Sequence, residues 1–209
     1  MSKKLLIVAA TSAELKITFE YFGLPDKAFV ETIAFDILIT GVGMTATAYA
    51  LGKHLNDKYH LVLNVGIAGS FDQNIPLGTL VNINHDTFSE LGAEDHENFL
   101  TIDELGFGTN NTLATSKIAG LPNVKGITVN KVHGNSQSIQ FIRERFNVQT
   151  ESMEGAAVFY ACNRAALVCA QVRAISNYVV PRKKEDWKIG LAINNLNNWL
   201  ISFLDTPKR

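Results

Sequence analysis

Short apolar runs of strand length alternate along this chain with segments of helical spacing, the pattern of an α/β domain built on a buried sheet. Residues 5–10 form an unbroken apolar run, which in a strand implies cover on both faces. Further runs at 35–40, 61–65, 80–83, 127–129 and 170–175 predict strands, with helical stretches over 45–55 and 154–166. Ile189, Ile193, Leu196, Leu200, Phe203 and Leu204 recur at three- and four-residue spacing, predicting an amphipathic closing helix packed on the sheet. No repeat, low-complexity tract or Pro/Ser-rich linker divides the chain. We therefore expect a single α/β domain over 1–209, a central twisted, mostly parallel (mixed) sheet flanked by helices.

Composition narrows the function classes. At 209 residues, 46% apolar and 19% charged, the chain has the make-up of an ordinary globular protein. Lys and Arg total 19 against 20 Asp and Glu, a balance that argues against a nucleic-acid partner, which calls for a basic excess or stripe. The apolar runs are too short to span a bilayer. The stretch behind Lys3 and Lys4 is short and runs into Glu14, unlike a secretion signal, so no membrane partner and a cytoplasmic location are expected. Cys162 and Cys169 form no CxxC pair and read as reduced, partly buried thiols. The histidines at 54, 60, 85, 96 and 133 show no HxxxH or HExxH spacing, so no metal is expected.

Ligands of open α/β sheets bind beyond the carboxyl ends of the strands, so chemical interest lies just after each run. After the first come Thr11, Ser12 and Glu14. Thr11 or Ser12 suits a helix cap, and Glu14 either complements the helix dipole or stands at the sheet mouth as a general base. Two glycine turns are expected after the second and third runs, at 41–43 and 66–69, since glycine admits positive φ and lets backbone approach a ligand. Neither matches the GxGxxG dinucleotide fingerprint or the GxxxxGK[ST] phosphate loop. Further on stand Glu151-Ser152-Met153-Glu154-Gly155-Ala156-Ala157 and Arg173-Ala174-Ile175-Ser176-Asn177.

Taken in order, the carboxylate after the first run, the glycine segment after the third, Met153-Glu154-Gly155-Ala156 and Arg173-Ala174-Ile175-Ser176-Asn177 resemble the nucleoside phosphorylase/nucleosidase superfamily. The resemblance covers nearly the whole chain and is vaguest over 105–125. It implies a nucleoside phosphorylase-like fold, cleavage of a purine N-glycosidic bond, a small-molecule nucleoside substrate, and no metal or organic cofactor. It implies that Glu154 accepts hydrogen bonds from the ribose 2′- and 3′-hydroxyls and stabilises positive charge developing on the ring. Met153 would pack on the sugar face, and Glu14 would take a proton from the attacking water with Arg173 helping to orient it. Gly69 and His133 correspond to positions lining the nucleoside site. A bland alternative stands beside each: Met153 as core, Arg173 as a structural ion pair, His133 as a surface loop residue. Relatives form homodimers or larger assemblies, so a homo-oligomer is expected.

Two residues sharpen the expected chemistry. A phosphorylase needs cationic donors for phosphate, whereas the turn after the first run offers a carboxylate that repels it. Hydrolysis, with water as co-substrate, is the expected reaction. At 177 the adenine-releasing nucleosidases carry aspartate, and this chain has Asn177. A neutral amide is no strong proton donor to N7, but it can donate to a 6-oxo group while its carbonyl accepts from a protonated N7. Segments 65–71, 89–95, 151–157 and 173–182 resemble the futalosine hydrolase family, which releases hypoxanthine from futalosine in the alternative bacterial route to menaquinone. That resemblance implies a 5′ carboxyphenyl group. Arg182 is the first candidate to meet its carboxylate, ahead of Lys183 and Lys184, and a solvated run heading the last helix is the alternative. Three rival readings remain. A methylthioadenosine/S-adenosylhomocysteine nucleosidase is opposed by Asn177, and a purine nucleoside phosphorylase by the missing arginines. A nucleoside-binding protein without turnover is opposed by Glu14, Glu154 and Asn177 together.

Overall fold

Alternate side chains of the first strand, β1 (Lys4–Ala9), enter two separate cores: Leu5, Ile7 and Ala9 on one face, Leu6 and Val8 on the other. Strand geometry alternates faces at every residue, so only an unbroken apolar run can fill both. The computed structural model describes residues 3–206. After β1 come α1 (Lys16–Tyr21), β2 (Phe29–Glu31), β3 (Phe35–Ile39), α2 (Met44–His54) and the long β4 (Tyr59–Ser70). β5 (Leu80–Phe88), the hairpin β6 (Gly92–Asp95) and β7 (Asn98–Thr101), β8 (Asn111–Leu113) and β9 (Asn123–Thr128) follow. Then come α3 (Ser136–Arg145), β10 (Thr150–Ser152), α4 (Gly155–Arg164), β11 (Cys169–Tyr178) and α5 (Ile189–Asp205).

Helices cover the sheet on both sides. Ala192, Leu196 and Leu200 of α5 and Phe19 of α1 pack on one face; Leu51 of α2 and Val158, Phe159 and Cys162 of α4 pack on the other. The expected closing helix is α5. Cys162 and Cys169 are free thiols, fully rather than partly buried. Among the described residues no helix is long and apolar enough to cross a membrane.

The main sheet has the order β10-β9-β5-β11-β4-β1-β3-β2, with β8 on β5. It is mixed: β1 runs parallel to β3 and β4, and β11 parallel to β4, while β5 is antiparallel to β11. Short β10 leaves no mark in the apolar pattern, yet it pairs with both β9 and the end of β4. Strands β4, β11, β5, β9 and β10 thereby close into a ring.

Two sequence expectations need correction. Residues 66–69 are not a turn but part of β4. Space, not positive φ, demands the glycines there: a Cβ on Gly66 would collide with Arg173 Nη1 and lie 2.7 Å from Glu14 Oε1. The segment at 41–43 is the true turn, with φ of +86° at Gly41 and +94° at Gly43. The other concerns 182–184, which does not head the last helix, since a 3-10 turn (Lys184–Asp186) precedes α5.

Candidate active site

A cavity of about 390 Å³ opens where β1, β4 and β11 end, and Glu14, Gly69, His133, Met153, Glu154, Asn177 and Arg182 all line it. Arg173 is buried behind this wall, with its Nη2 3.7 Å from Glu154 Oε2. The eight sequence-selected residues are thus brought to one place.

Glu14 sits in a 3-10 turn (Ser12–Leu15) directly after β1. Its Oε2 accepts from the Thr11 amide at 3.0 Å and the Thr11 hydroxyl at 3.1 Å, and its Oε1 accepts from the Ile67 amide at 3.2 Å. Asn197 of α5 donates to the Glu14 carbonyl at 2.8 Å, tying the turn to the closing helix. Glu14 thus completes the capping box of its turn and also lines the cavity. Burial raises its pKa above the ordinary 4.5; Arg173 opposes that, neighbouring Glu154 adds to it, and the two amides oppose it again, leaving a net rise.

Glu154 is the N-cap of α4, and its Oε1 accepts from the Gly43 amide at 3.1 Å, a donor presented by the positive-φ turn. Arg173 Nε and Nη2 are buried without a hydrogen-bond partner among the described residues, so its charge acts on Glu14 and Glu154 through space. Met153 is both core and lining, packing on the cluster around Ile127 and Ile139 while facing the cavity.

His133 is no free surface residue. Its ring Nδ1 lies 2.6 Å from Glu151 Oε2, and its amide donates to Glu151 Oε1 at 3.0 Å. Asn177 accepts on Oδ1 from the Ser176 hydroxyl at 2.8 Å and donates through Nδ2 to the Tyr178 carbonyl at 3.2 Å. One amide proton and one carbonyl lone pair stay available to a ligand. A bulge aims this side chain: β11 pairs Ile175 with Ala68 and then Asn177 with Gly69, leaving Ser176 inserted. Arg182 is exposed at the mouth, its guanidinium carbon 4.8 Å from the centre of the Trp187 ring.

Sequence reasoning missed Glu151, Ser152, Ser176 and Trp187, all on the cavity wall. Glu151 and Ser152 stand within a segment already singled out, and only the pairing of β10 shows that they face inward.

A family model for the phosphorylase superfamily matches residues 37–203. A futalosine hydrolase from Streptomyces coelicolor is 34% identical over 178 residues, which cover 78% of this chain and 76% of that protein. The chain belongs to the futalosine hydrolase family of the phosphorylase superfamily. The fold agrees: the Helicobacter pylori futalosine hydrolase superposes with a TM-score of 0.80 at 15% identity, over 98% of each chain. A 5′-methylthioadenosine/S-adenosylhomocysteine nucleosidase from the same bacterium gives 0.81 at 15% identity, over 98% of this chain and 99% of that one. The fold is therefore shared by both kinds of nucleosidase, and membership of the futalosine hydrolase family rests on sequence.

Proposed function

We propose that the chain hydrolyses the N-glycosidic bond of futalosine, giving hypoxanthine and dehypoxanthine futalosine in menaquinone formation by the futalosine route. The observation that carries this reading is the charge layout of the cavity. Glu14 and Glu154 flank buried Arg173 beside Gly66, and neutral Asn177 stands three residues further along β4, beside Gly69. Along a strand that separation is about 10 Å, room for a ribose and its base in sequence.

Glu154 accepts from the ribose 2′- and 3′-hydroxyls and faces positive charge growing at C1′ as the bond to N9 lengthens. Glu14, its basicity raised by burial, takes a proton from the water whose oxygen bonds to C1′. Arg173 keeps the two carboxylates from repelling each other and helps orient that water. N9 leaves with the bonding electrons as N7 takes up a proton from solvent water; the N7–H then donates to Asn177 Oδ1 while Asn177 Nδ2 donates to O6. Met153 packs on the sugar, and Gly69 and His133 shape the base site. Arg182 meets the 5′ carboxylate at the mouth. The reaction needs water as co-substrate and neither metal nor organic cofactor. The working form is a cytoplasmic homo-oligomer with a small nucleoside as its partner and no nucleic acid.

The deciding experiment is chromatographic: hypoxanthine and adenine release from futalosine, inosine and methylthioadenosine, each with and without phosphate. Phosphate-independent hypoxanthine from futalosine is the expected result. Adenine from methylthioadenosine, phosphate dependence, or binding without release would each replace the reading with one of its rivals.

A further inference from the structure

Glu151 and Asn177 flank one glycine in the strand register. β10 sets Glu151 opposite Gly69 of β4, and β11 pairs Asn177 with the same Gly69 from the other side. Paired residues on neighbouring strands project from one face, so a carboxylate and an amide stand on either side of Gly69, which brings no side chain of its own. Two strand spacings, about 9.6 Å, separate their backbones. Val179 Cγ2 covers the Gly69 backbone most closely, 2.9 Å from the point where a Cβ would lie, with Asn177 Nδ2 3.1 Å and Glu151 Cγ 3.6 Å away, and Gly69, Glu151 and Asn177 all line the cavity.

His133 fixes the carboxylate by donating to each of its oxygens, from the backbone amide to Oε1 and from the ring to Oε2. Each oxygen keeps acceptor capacity beyond that bond. The Glu151 side chain is only 3% exposed, and a carboxylate so deep is a poor contributor to stability. Its place on the cavity wall, with acceptor sites to spare, suits it to a ligand's donor.

We propose that Glu151, held in place by His133, accepts the N1–H of a 6-oxopurine and is a specificity-determining residue of the site. This rests on the nucleosidase reading above and deepens it. Around a purine, N7, the 6-substituent and N1 follow one another, so groups on either side of Gly69 meet N7 with O6, and N1, in turn. A 6-oxopurine offers a donor at N1; a 6-aminopurine offers a lone pair there, which leaves it and the carboxylate unpaired. Asn177 alone discriminates less sharply, because an amide can exchange its donor and acceptor ends by rotation. A carboxylate has no donor to exchange. His133 is a positioning residue in this scheme.

The test compares kcat/KM for futalosine and for its 6-amino counterpart in the wild type and in Glu151→Gln. Glutamine can still accept from His133 while turning its amide toward N1, so the 6-oxo over 6-amino ratio should fall roughly ten- to hundredfold. A variant that loses rate on both nucleosides in equal proportion would overturn the proposal. A second arm needs no variant: hypoxanthine and 1-methylhypoxanthine are compared as inhibitors of the wild type. Hypoxanthine should inhibit at least about tenfold more tightly, and equal inhibition would overturn the N1 contact. Wild type that releases no hypoxanthine from futalosine would overturn the functional reading and this inference with it. Turnover with an unchanged ratio overturns this inference alone.

Discussion

Glu14 sits among groups that pull on its proton in opposite directions. Burial and Glu154 favour the protonated form, Arg173 and two backbone amides the ionised one, and burial prevails. A base is useful only when ionised, so the acid limb of kcat/KM should lie above the usual carboxylate range near 4.5. Arg173 holds that limb down. Arg173→Gln should therefore shift it to higher pH as well as lowering the rate, and a limb that stays in place would remove Arg173 from the electrostatics. Glu14→Gln should cost roughly 10²–10⁴ in kcat while nucleoside binding, read as ligand-induced rise in Tm, persists. Unchanged turnover would take Glu14 out of the mechanism. At 177, Asn177→Asp should weaken hypoxanthine release and open some adenine release, measured on the 6-oxo and 6-amino substrates side by side. Full retention of hypoxanthine release would sink the amide argument.

Elements aim these residues, and α4 shows how. Gly155 at its first turn admits no side chain, because a Cβ would collide with Asp86 and Gln171 beneath. Asp86 is fully buried and accepts from Thr128 Oγ1 at 2.8 Å and Gln171 Nε2 at 3.0 Å, while Thr128 accepts from the Ala156 amide at 2.8 Å. This polar cluster seats the helix entrance that carries Met153 and Glu154. Burial pushes the Asp86 carboxyl from 3.8 up to about 6, against the pull of its hydrogen bonds and of Arg173. Between those values the folded state binds more protons than the unfolded one, so Asp86 makes stability fall as pH rises, by about 3 kcal/mol across the window. Asp86→Asn should flatten that part of the profile. The difference in Tm between variant and wild type should change steadily from pH 4 to 6.5, and a constant difference would contradict the assignment.

The same scale explains what could be read in advance. The two-faced burial of β1 and the stripe of α5 are local periodicities, so they were legible in the residues alone. Glu14, Glu154, Arg173 and Asn177 were legible through the order of their segments. Pairing is not local, and what depends on it was hidden: the three-residue β10, the Ser176 bulge, and the face on which Glu151 stands. The glycines at 66 and 69 were misread for the same reason. A glycine signals either positive φ or close approach, and only the neighbours supplied by β11 and by Glu14 show that close approach is the cause.

At the scale of the molecule, several large apolar side chains stand exposed on neighbouring elements of a single chain. Tyr49 on α2, Tyr160 on α4 and Leu113 on β8 are 69%, 53% and 56% exposed, and these three elements are neighbours through α4. Val42, at the entrance to α2, is 56% exposed and also lines the cavity. Scattered exposed apolar residues are ordinary, but a group on neighbouring elements that includes a residue of the cavity wall suits an interface with a second copy. A stable dimer buries about 800 Å² per partner, which would cover these side chains and shield the Val42 wall from water. Light scattering should therefore give at least twice the mass of one chain. Tyr49→Glu combined with Tyr160→Glu should yield monomers with lower kcat/KM, since the cavity wall beside Val42 becomes wet while Glu14, Glu154 and Asn177 are untouched. A wild type that runs as a monomer at full activity would show that the cavity is complete within one chain.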